Sequence, residues 1–445
     1  MLSYQYVKNV LEYQKNSRLT RFELLKIQEI RWRKLVHFVS LYSPFYKRII
    51  KDSGLDPSTA KVTDFPVLTK KIIQDHFDEI VTDSKIKQRS VHEFVEKGNP
   101  DILYLGRYHV LKTSGSTGQP GYFVSTSNEV IAGVTPSVAR GHSGQSRYKK
   151  RIAMVGFPKS FAGSSQTMNF CNRIWLAKRF VEYRPISIEQ NFDDVLNELS
   201  KFQPHILSGY AKLLLLIADA QRAGKVSLKP DSIDSGGEQL LETDRRYLKD
   251  TFGCPVNNHY GSTEGFSMGI CRDGEKSIEL YEDHLIFSIN EDDTHITNLH
   301  GFTMPLIRYQ MRDILIPRPI KEARPFQRVE PLIGRSDEIP YFITEENYKV
   351  TVHPLAFDPL MPEGVKSFFM VSDKPNQVTF HILIDDKFME YKISILENVH
   401  KVLKVFFHEK GLPNLEIITI QETDYSLNLK TGKTTFWRTQ VLNKK

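Results

Sequence analysis

The chain has 445 residues, 40% of them hydrophobic and 25% charged, which is ordinary for a soluble globular protein and long enough for roughly two or three domains. Its 60 basic residues face 53 acidic ones, a net charge of +7 spread along the chain; this suits an anionic ligand and excludes the dense basic stripe with interleaved aromatics of a nucleic-acid binder. Three cysteines (Cys171, Cys254, Cys271) exclude a disulfide framework and fit a reducing, cytoplasmic setting, the Met1–Gln5 start lacks a signal-peptide core, and the longest apolar run, Leu213 to Ala218, excludes a transmembrane segment.

No internal repeat or low-complexity tract interrupts the chain. Leu24, Leu25, Ile27, Ile30, Leu35, Val36 and Val39 recur at helical spacing between charged residues and predict helix over 20–50. From Ser43-Pro44 to Thr69-Lys70, turn signals alternate with short helices. Residues 102–123 read as strand, glycine-rich loop, strand. Between 150 and 300, β-rich runs alternate with helical ones: strand at Arg151–Gly156, helix at Phe192–Phe202, strand at His205–Ser208, helix at Ala211–Ala223. That alternation predicts α/β layers with much parallel sheet. The pattern changes at Gly334-Arg335-Ser336-Asp337, after a proline- and arginine-rich stretch. Beyond it, strands near Ser367–Val371, Val378–Ile384 and Leu415–Ile420, with a helix over Glu390–Glu409, predict a small α+β unit. The expected fold class is α/β: a large layered N-terminal domain over 1–334 and a small α+β C-terminal domain over 335–445.

The segment with the most chemistry is Thr113-Ser114-Gly115-Ser116-Thr117-Gly118-Gln119-Pro120. Small residues let consecutive backbone N–H groups turn inward as an anion nest, and hydroxyls add donors for phosphate oxygens. No Walker lysine follows, so this is not a P-loop. A bare small-residue loop is ordinarily a hairpin turn, and the other segments decide between the two readings.

This loop resembles the phosphate-binding signature of the adenylate-forming (ANL) superfamily, which includes acyl–CoA ligases, nonribosomal adenylation domains and luciferases. Further segments resemble its other signatures in the same order: Ser235-Gly236-Gly237-Glu238 the adenine-flanking loop, Tyr260-Gly261-Ser262-Thr263-Glu264 the aromatic and metal-binding segment, Arg308-Tyr309 with Asp313 the ribose segment, Gly334–Asp337 the interdomain hinge, and Thr431-Gly432-Lys433 the catalytic-lysine loop. Each motif is weak alone; their joint order over residues 113–433 is not. Tyr42-Ser43-Pro44-Phe45-Tyr46, Leu68-Thr69-Lys70 and the compact length resemble the phenylacetate–CoA ligase branch, near its relatives linked to capsule and surface-polysaccharide biosynthesis.

The resemblance implies ATP-dependent conversion of a carboxylic acid to an acyl-adenylate, with pyrophosphate released. Two anions meet in that reaction, so fixed positive charge and dipoles are required. By resemblance, Ser114, Gly115, Ser116, Thr117 and Gly118 hold the β- and γ-phosphates, Glu264 ligates Mg²⁺, and Thr263 donates to the α-phosphate. Gly236, Gly237, Glu238 and Gly261 flank the adenine, Tyr260 stacks on it, and Asp313 accepts from the ribose hydroxyls. The plain alternatives are an exposed Glu264, a core Tyr260, and a helix cap or ion pair at Asp313. Lys433 is the expected catalytic lysine, bridging carboxylate and nucleotide from a lid that rotates about Asp337, with Arg335 on the nucleotide. Their alternatives are a solvated lysine, with Lys430 a nearby decoy, and a linker ion pair. The family's glycine before the aspartate is Arg312 here, which puts the local backbone in doubt.

Cys254, His259 and Cys271 fall where some relatives of this branch carry structural zinc, with His284 the only guess for a fourth ligand. Paired Cys-x-x-Cys spacing is absent, and buried free cysteines are the alternative. No Gly-x-Ser-x-Gly elbow or His-Glu-x-x-His supports a hydrolase. The acid pocket is expected from Phe157–Ser165 and Ser208-Gly209-Tyr210, which suit a small or aromatic acid without excluding a sugar acid. Three outcomes stay open: transfer to a thiol (coenzyme A or a carrier protein), an amide or ester ligase acting on an amine or sugar, and a nucleotide-binding regulator that has lost chemistry.

Overall fold

The computed structural model describes residues 2–113, 121–141, 149–156, 161, 174, 179, 181–290, 293–311, 313–319, 324–330, 341–344, 346, 348–352, 357, 360–374, 376–423 and 437–439. Helix α1 (Leu2–Asn16) opens it. Helix α2 (Arg21–Tyr42) starts at a capping box: the Thr20 side chain accepts from the Glu23 N–H, and the Glu23 carboxylate accepts from the Thr20 N–H. The helix predicted over 20–50 divides at Ser43, whose backbone is extended at φ −101 and ψ 112. Pro44 disfavours helical backbone at the residue before it and then starts α3 (Pro44–Asp52) at N1. Short helices α4 (Lys70–Asp75), α5 (Phe77–Ile80) and α6 (Gln88–Glu96) follow.

Strands β1 (Tyr108–Lys112) and β2 (Tyr122–Thr126) pair antiparallel, Lys112 opposite Tyr122, on either side of the glycine-rich loop. After α7 (Ser127–Gly141) the chain alternates: β3 (Lys150–Gly156), β4 (Val181–Ser187), α8 (Phe192–Phe202), β5 (Ile206–Gly209), α9 (Ala211–Arg222), β6 (Ser232–Gly236), α10 (Glu242–Phe252) and β7 (Val256–Ser262). The pairings β4·β3, β3·β5, β5·β6 and β6·β7 are all parallel. Helix α9 is buried nearly all round, at Ala211, Leu213, Leu214, Leu215, Ile217, Ala218 and Ala220, as a helix covered on both sides must be.

Past β7 the sheet turns antiparallel. Only Thr263, Glu264 and Gly265 separate β7 from β8 (Phe266–Cys271), too few for the crossover a parallel pair needs. Strand β9 (Ile278–Leu280) continues the sheet. Strands β10 (Leu285–Ile289), β11 (Thr294–Asn298) and β12 (Tyr309–Gln310) form a separate three-stranded sheet, and β13 (Arg328–Val329) closes the edge of the main one. The main sheet has the order β13-β9-β8-β7-β6-β5-β3-β4, so the expected parallel sheet is the five-stranded part, β4 to β7, of a mixed eight-stranded one.

Strands β14 (Tyr341–Ile343) and β15 (Lys349–Thr351) form a hairpin. Strands β16 (Val365–Lys374) and β17 (Gln377–Ile384), helix α11 (Lys392–Glu409), and strands β18 (Glu416–Glu422) and β19 (Trp437–Thr439) make a four-stranded sheet with order β18-β17-β16-β19. Val399, Leu403 and Phe407 of α11 bury against Phe368, Met370 and Phe380, each fully buried side chain stabilising by roughly 1.5–3 kcal/mol. Leu241 of the larger body joins this core, and Leu383 joins the core under the main sheet, so the two bodies share apolar contact. The 334/335 boundary lies outside the described residues. Among the described residues no helix is long and apolar enough to cross a membrane.

Candidate functional site

Ligands of open α/β sheets sit beyond the carboxyl ends of the parallel strands. Here those ends deliver Tyr210 after β5, Gly236-Gly237-Glu238 after β6, and Gly261–Glu264 at the end of β7. At Gly236 an added Cβ would lie 3.3 Å from the His259 carbonyl, so small size keeps this turn against β7. Gly237 has φ +78, a conformation that favours glycine. The Glu238 carboxylate accepts from the Lys212 N–H at 2.7 Å, at the start of α9, where the helix dipole favours an anion.

The turn from β7 to β8 is tight. Ser262 Oγ accepts from the Gly265 N–H at 2.9 Å. A Cβ on Gly261 would meet the Phe266 carbonyl at 2.6 Å, so no other residue fits there without movement. Phe266 takes φ 57, a left-handed conformation that costs a non-glycine residue roughly 1–2 kcal/mol. Its ring is wedged on α7 where a Cβ at Gly133 would lie 2.5 Å away. This turn carries Thr263 and Glu264, both half-buried.

Facing it is the 308–313 segment. Arg308 is also left-handed (φ 53), and its guanidinium donates to the Thr63 and Phe65 carbonyls. Leu68 N–H donates to the Arg308 carbonyl and Gln310 N–H to the Leu68 carbonyl, both at 3.0 Å, while β12 pairs with β11 on its other side. So clamped, Tyr309 donates its hydroxyl to Glu264 Oε1 at 3.1 Å. Asp313 is buried and accepts from the Tyr260 hydroxyl at 2.7 Å. Tyr260 is itself buried in the main hydrophobic core, the position its core alternative describes.

The feet of the glycine-rich loop are close by. Thr113 N–H donates to the Gly121 carbonyl at 3.0 Å and Gly121 N–H to Thr113 Oγ1 at 2.8 Å, closing the loop's base. A Cβ on Gly121 would lie 3.5 Å from Lys70 Cε, which sets a basic side chain beside that base. Phe123, two residues on, packs edge-on against Tyr309 with ring centroids 6.0 Å apart. Described parts of four of the sequence segments therefore converge: Thr113 with Gly121–Phe123, Gly236–Glu238, Tyr260–Glu264, and Tyr309 with Asp313. Ser114–Gly118, Arg312, Arg335, Asp337, Lys430 and Lys433 lie outside the described residues.

Of the expected acid pocket, Phe157–Lys159, Ser160 and Ala162–Ser165 also lie outside. Phe161 packs its ring on Phe94, 6.0 Å between centroids, as part of the core. A Cβ on Gly156, at the end of β3, would meet the Tyr210 ring at 3.9 Å.

The zinc alternative can be followed residue by residue. Burial pushes the Cys254 thiol up to about 11 and raises that of Cys271. Cys271 Sγ accepts from Arg245 at 3.4 Å and donates to the Glu275 carbonyl at 3.2 Å. His259 Nε2 lies 3.3 Å from Asp234 Oδ2, without hydrogen-bond geometry. His284 stacks on His300 instead, 5.3 Å between centroids. Among the described residues no three metal-ligating side chains come together.

Sequence reasoning named Arg308 only as part of the ribose segment, without its backbone role, and passed over Phe266 and Lys212 as contributors. A left-handed non-glycine residue leaves no mark in sequence, because the strain is imposed by what the side chain and backbone meet in three dimensions.

The fold is similar to crystal structures of 2-hydroxyisobutyryl-CoA ligase: one in the postadenylation state in complex with R3-HIB-AMP (TM-score 0.72, 13% identity, 95% of this chain and 91% of that one). A second, with 2-HIB-AMP and CoA in the thioesterification state, gives a TM-score of 0.58 at 14% identity, covering 96% and 92%. The chain shares the α/β fold of these solved ligases, the fold class that the sequence pattern predicts. No family model matches the chain. In sequence it is similar to Protein CapK of Staphylococcus aureus, 23% identical over 384 residues, 82% of this chain and 79% of that protein. It is likewise similar to phenylacetate-coenzyme A ligase of Thermus thermophilus, 24% identical over 359 residues, 72% of each.

Proposed function

We propose that the protein is an AMP-forming acid ligase, which activates a carboxylic acid as its acyl-adenylate and transfers the acyl group to a thiol. The observation that carries this is the convergence of the loop base at Thr113 and Gly121 with Glu264, Asp313 and the Gly236–Glu238 turn beyond the parallel strand ends. Phosphate needs N–H donors and positive charge, ribose an acceptor and adenine a flat apolar surface, and the residue types of the four segments answer to these needs.

The Ser114–Gly118 loop holds the β- and γ-phosphates, and Asp313 accepts from the ribose. The carboxylate oxygen of the acid attacks the α-phosphorus, the bond to the bridging oxygen breaks, and pyrophosphate leaves with its electron pair. Thr263 and Lys433 stabilise charge at the α-phosphate and the attacking carboxylate. The half-buried Glu264 carboxylate, steadied by Tyr309, is the hard oxygen donor that Mg²⁺ takes, so the donor set fits that ion. When bound, Mg²⁺ supplies positive charge to the phosphate oxygens. Residues 335–445 serve as a lid that carries Lys433, turning about Asp337 with Arg335 against the nucleotide. The acceptor is coenzyme A, which the names of the ligases this chain is similar to contain, or a carrier thiol of the same chemistry.

The test is acid-dependent pyrophosphate release from MgATP over aromatic, fatty, hydroxy and sugar acids, repeated with coenzyme A. Release with one acid class and a thioester on adding coenzyme A is the expected result. Release without thioester moves the acceptor to an amine or hydroxyl. Nucleotide binding with no release for any acid would overturn the enzymatic reading.

A further inference from the structure

Two phenol–carboxylate pairs cross between the segments that carry the acidic site residues. Tyr260 donates to Asp313 at 2.7 Å, and Tyr309 donates to Glu264 at 3.1 Å. Each tyrosine stands four positions before the acid that the other one grips. A buried phenol needs an acceptor, and any backbone carbonyl would satisfy that need. Here both reach a carboxylate, and each reaches the opposite segment.

The backbone around the pairs is constrained in a way that packing alone does not require. The two described left-handed non-glycine residues in this region, Phe266 and Arg308, fall two residues after Glu264 and one before Tyr309. Each is held by contacts made elsewhere, Phe266 by its ring on Gly133 and Arg308 by the Thr63 and Phe65 carbonyls. Strain that persists only because its surroundings over-determine it marks a segment whose position matters.

We propose that Tyr260 and Tyr309 are positioning residues that form a reciprocal brace, fixing the spacing between Glu264 and Asp313 and hence between the metal and ribose ends of the nucleotide. This rests on the ligase reading above. Tyr309 orients the Glu264 carboxylate from one side. The Tyr260 hydroxyl fixes Asp313 while its ring forms part of the adenine slot. Because each phenol acts on the carboxylate at the other end, losing one hydroxyl affects one end of the nucleotide selectively.

The experiment compares wild type, Tyr309→Phe and Tyr260→Phe in full-length protein. Calorimetry reads binding of ATP, 2′-deoxy-ATP and 3′-deoxy-ATP, electron paramagnetic resonance reads uptake of Mn²⁺ with ATP, and a thermal midpoint reads stability. Tyr309→Phe is expected to weaken Mn²⁺ uptake by about tenfold, the scale of one hydrogen bond to a charged group, and to leave ribose discrimination unchanged. Tyr260→Phe is expected to cut discrimination against the deoxy nucleotides by about tenfold and to leave Mn²⁺ uptake unchanged. Tyr309→Phe combined with Glu264→Gln should be non-additive for Mn²⁺ uptake. Equal weakening of every ligand in step with the thermal midpoint would make the tyrosines packing residues and overturn the brace. Unchanged affinities in both variants would do the same while leaving the ligase reading intact. A wild type that binds neither ATP nor Mn²⁺ overturns that reading and the brace together.

Discussion

Lys433 and His284 carry predictions of different kinds, one kinetic and one thermodynamic. Lys433 is singled out by its place after Gly432 in a polar C-terminal stretch of sequence and by resemblance, and the prediction it carries is kinetic. Lys433→Ala should slow acid-dependent pyrophosphate release ~10²–10³-fold, the scale of losing one electrostatic stabiliser, with ATP affinity changed far less. His284 carries a thermodynamic prediction. Burial, its largest influence, lowers it from 6.5 to about 4 against the opposing pull of Asp283, and burial likewise holds His300 well below 6.5. Arg31, Arg140 and Lys34 push the same way as burial. Both rings are therefore neutral when folded but take up protons near 6.5 when unfolded. Between pH 6.5 and about 4 the unfolded chain binds more protons at His284, so stability falls as pH falls, by about 1.4 kcal/mol per unit, and His300 acts in the same direction. Urea unfolding between pH 5 and 6 should show that slope reduced by about this amount in His284→Asn.

Helix α7 illustrates what an element needs from its neighbours. Pro136 sits inside it and has no N–H, so the Ala132 carbonyl one turn back loses its ordinary donor. The Tyr13 hydroxyl of α1 donates to that carbonyl at 3.3 Å and also lies 3.3 Å from His300 Nε2. Helix α1 thus repairs a defect in α7, and the buried Arg140–Asp283 pair, 2.5 Å apart, ties the same region down with Asn16. Tyr13→Phe should cost about 1–3 kcal/mol in urea unfolding, the penalty of an unsatisfied buried polar group. Combining it with Pro136→Ala, which restores the helical donor, should recover part of that loss. The turn after β7 makes a parallel case: Gly261→Ala drives a Cβ onto the Phe266 carbonyl and should destabilise by about 1–3 kcal/mol while weakening ATP binding, checked by unfolding and calorimetry on one preparation.

At the scale of the molecule, the two bodies meet through charge as well as through Leu241 and Leu383. Lys212 of α9 pairs with Asp244 at 3.2 Å and donates to Ser367 of β16. Lys366 pairs with Asp219, which also accepts from the Tyr247 hydroxyl at 2.6 Å, and Arg222 pairs with Asp385 at 3.0 Å. The Lys366 and Arg222 cations lie 4.5 and 3.8 Å from the centroid of the Tyr247 ring. Lys212 also carries the backbone N–H that Glu238 accepts, so the turn after β6 and the second body share one residue. Lys212→Met leaves the fully buried Asp244 without its cation and should cost about 3–5 kcal/mol, the scale of breaking a buried pair. Limited proteolysis should then cut faster between the two bodies than in wild type.

By itself the sequence determined most elements and the order of the site segments. The helix at 192–202, the strand at 151–156 and the C-terminal strand-helix-strand pattern all follow from local periodicity, which depends on residues close in the chain. The motif order from Thr113 to Asp313 likewise needs only linear spacing. Tertiary structure alone decided that α1 completes α7 and that Tyr260 and Tyr309 grip each other's acids. These depend on contacts between residues about 50 to more than 100 positions apart, whose partners are set by packing and by the hydrogen-bond demands of buried polar groups. No local pattern encodes such partners, because the chain meets them only once it has folded.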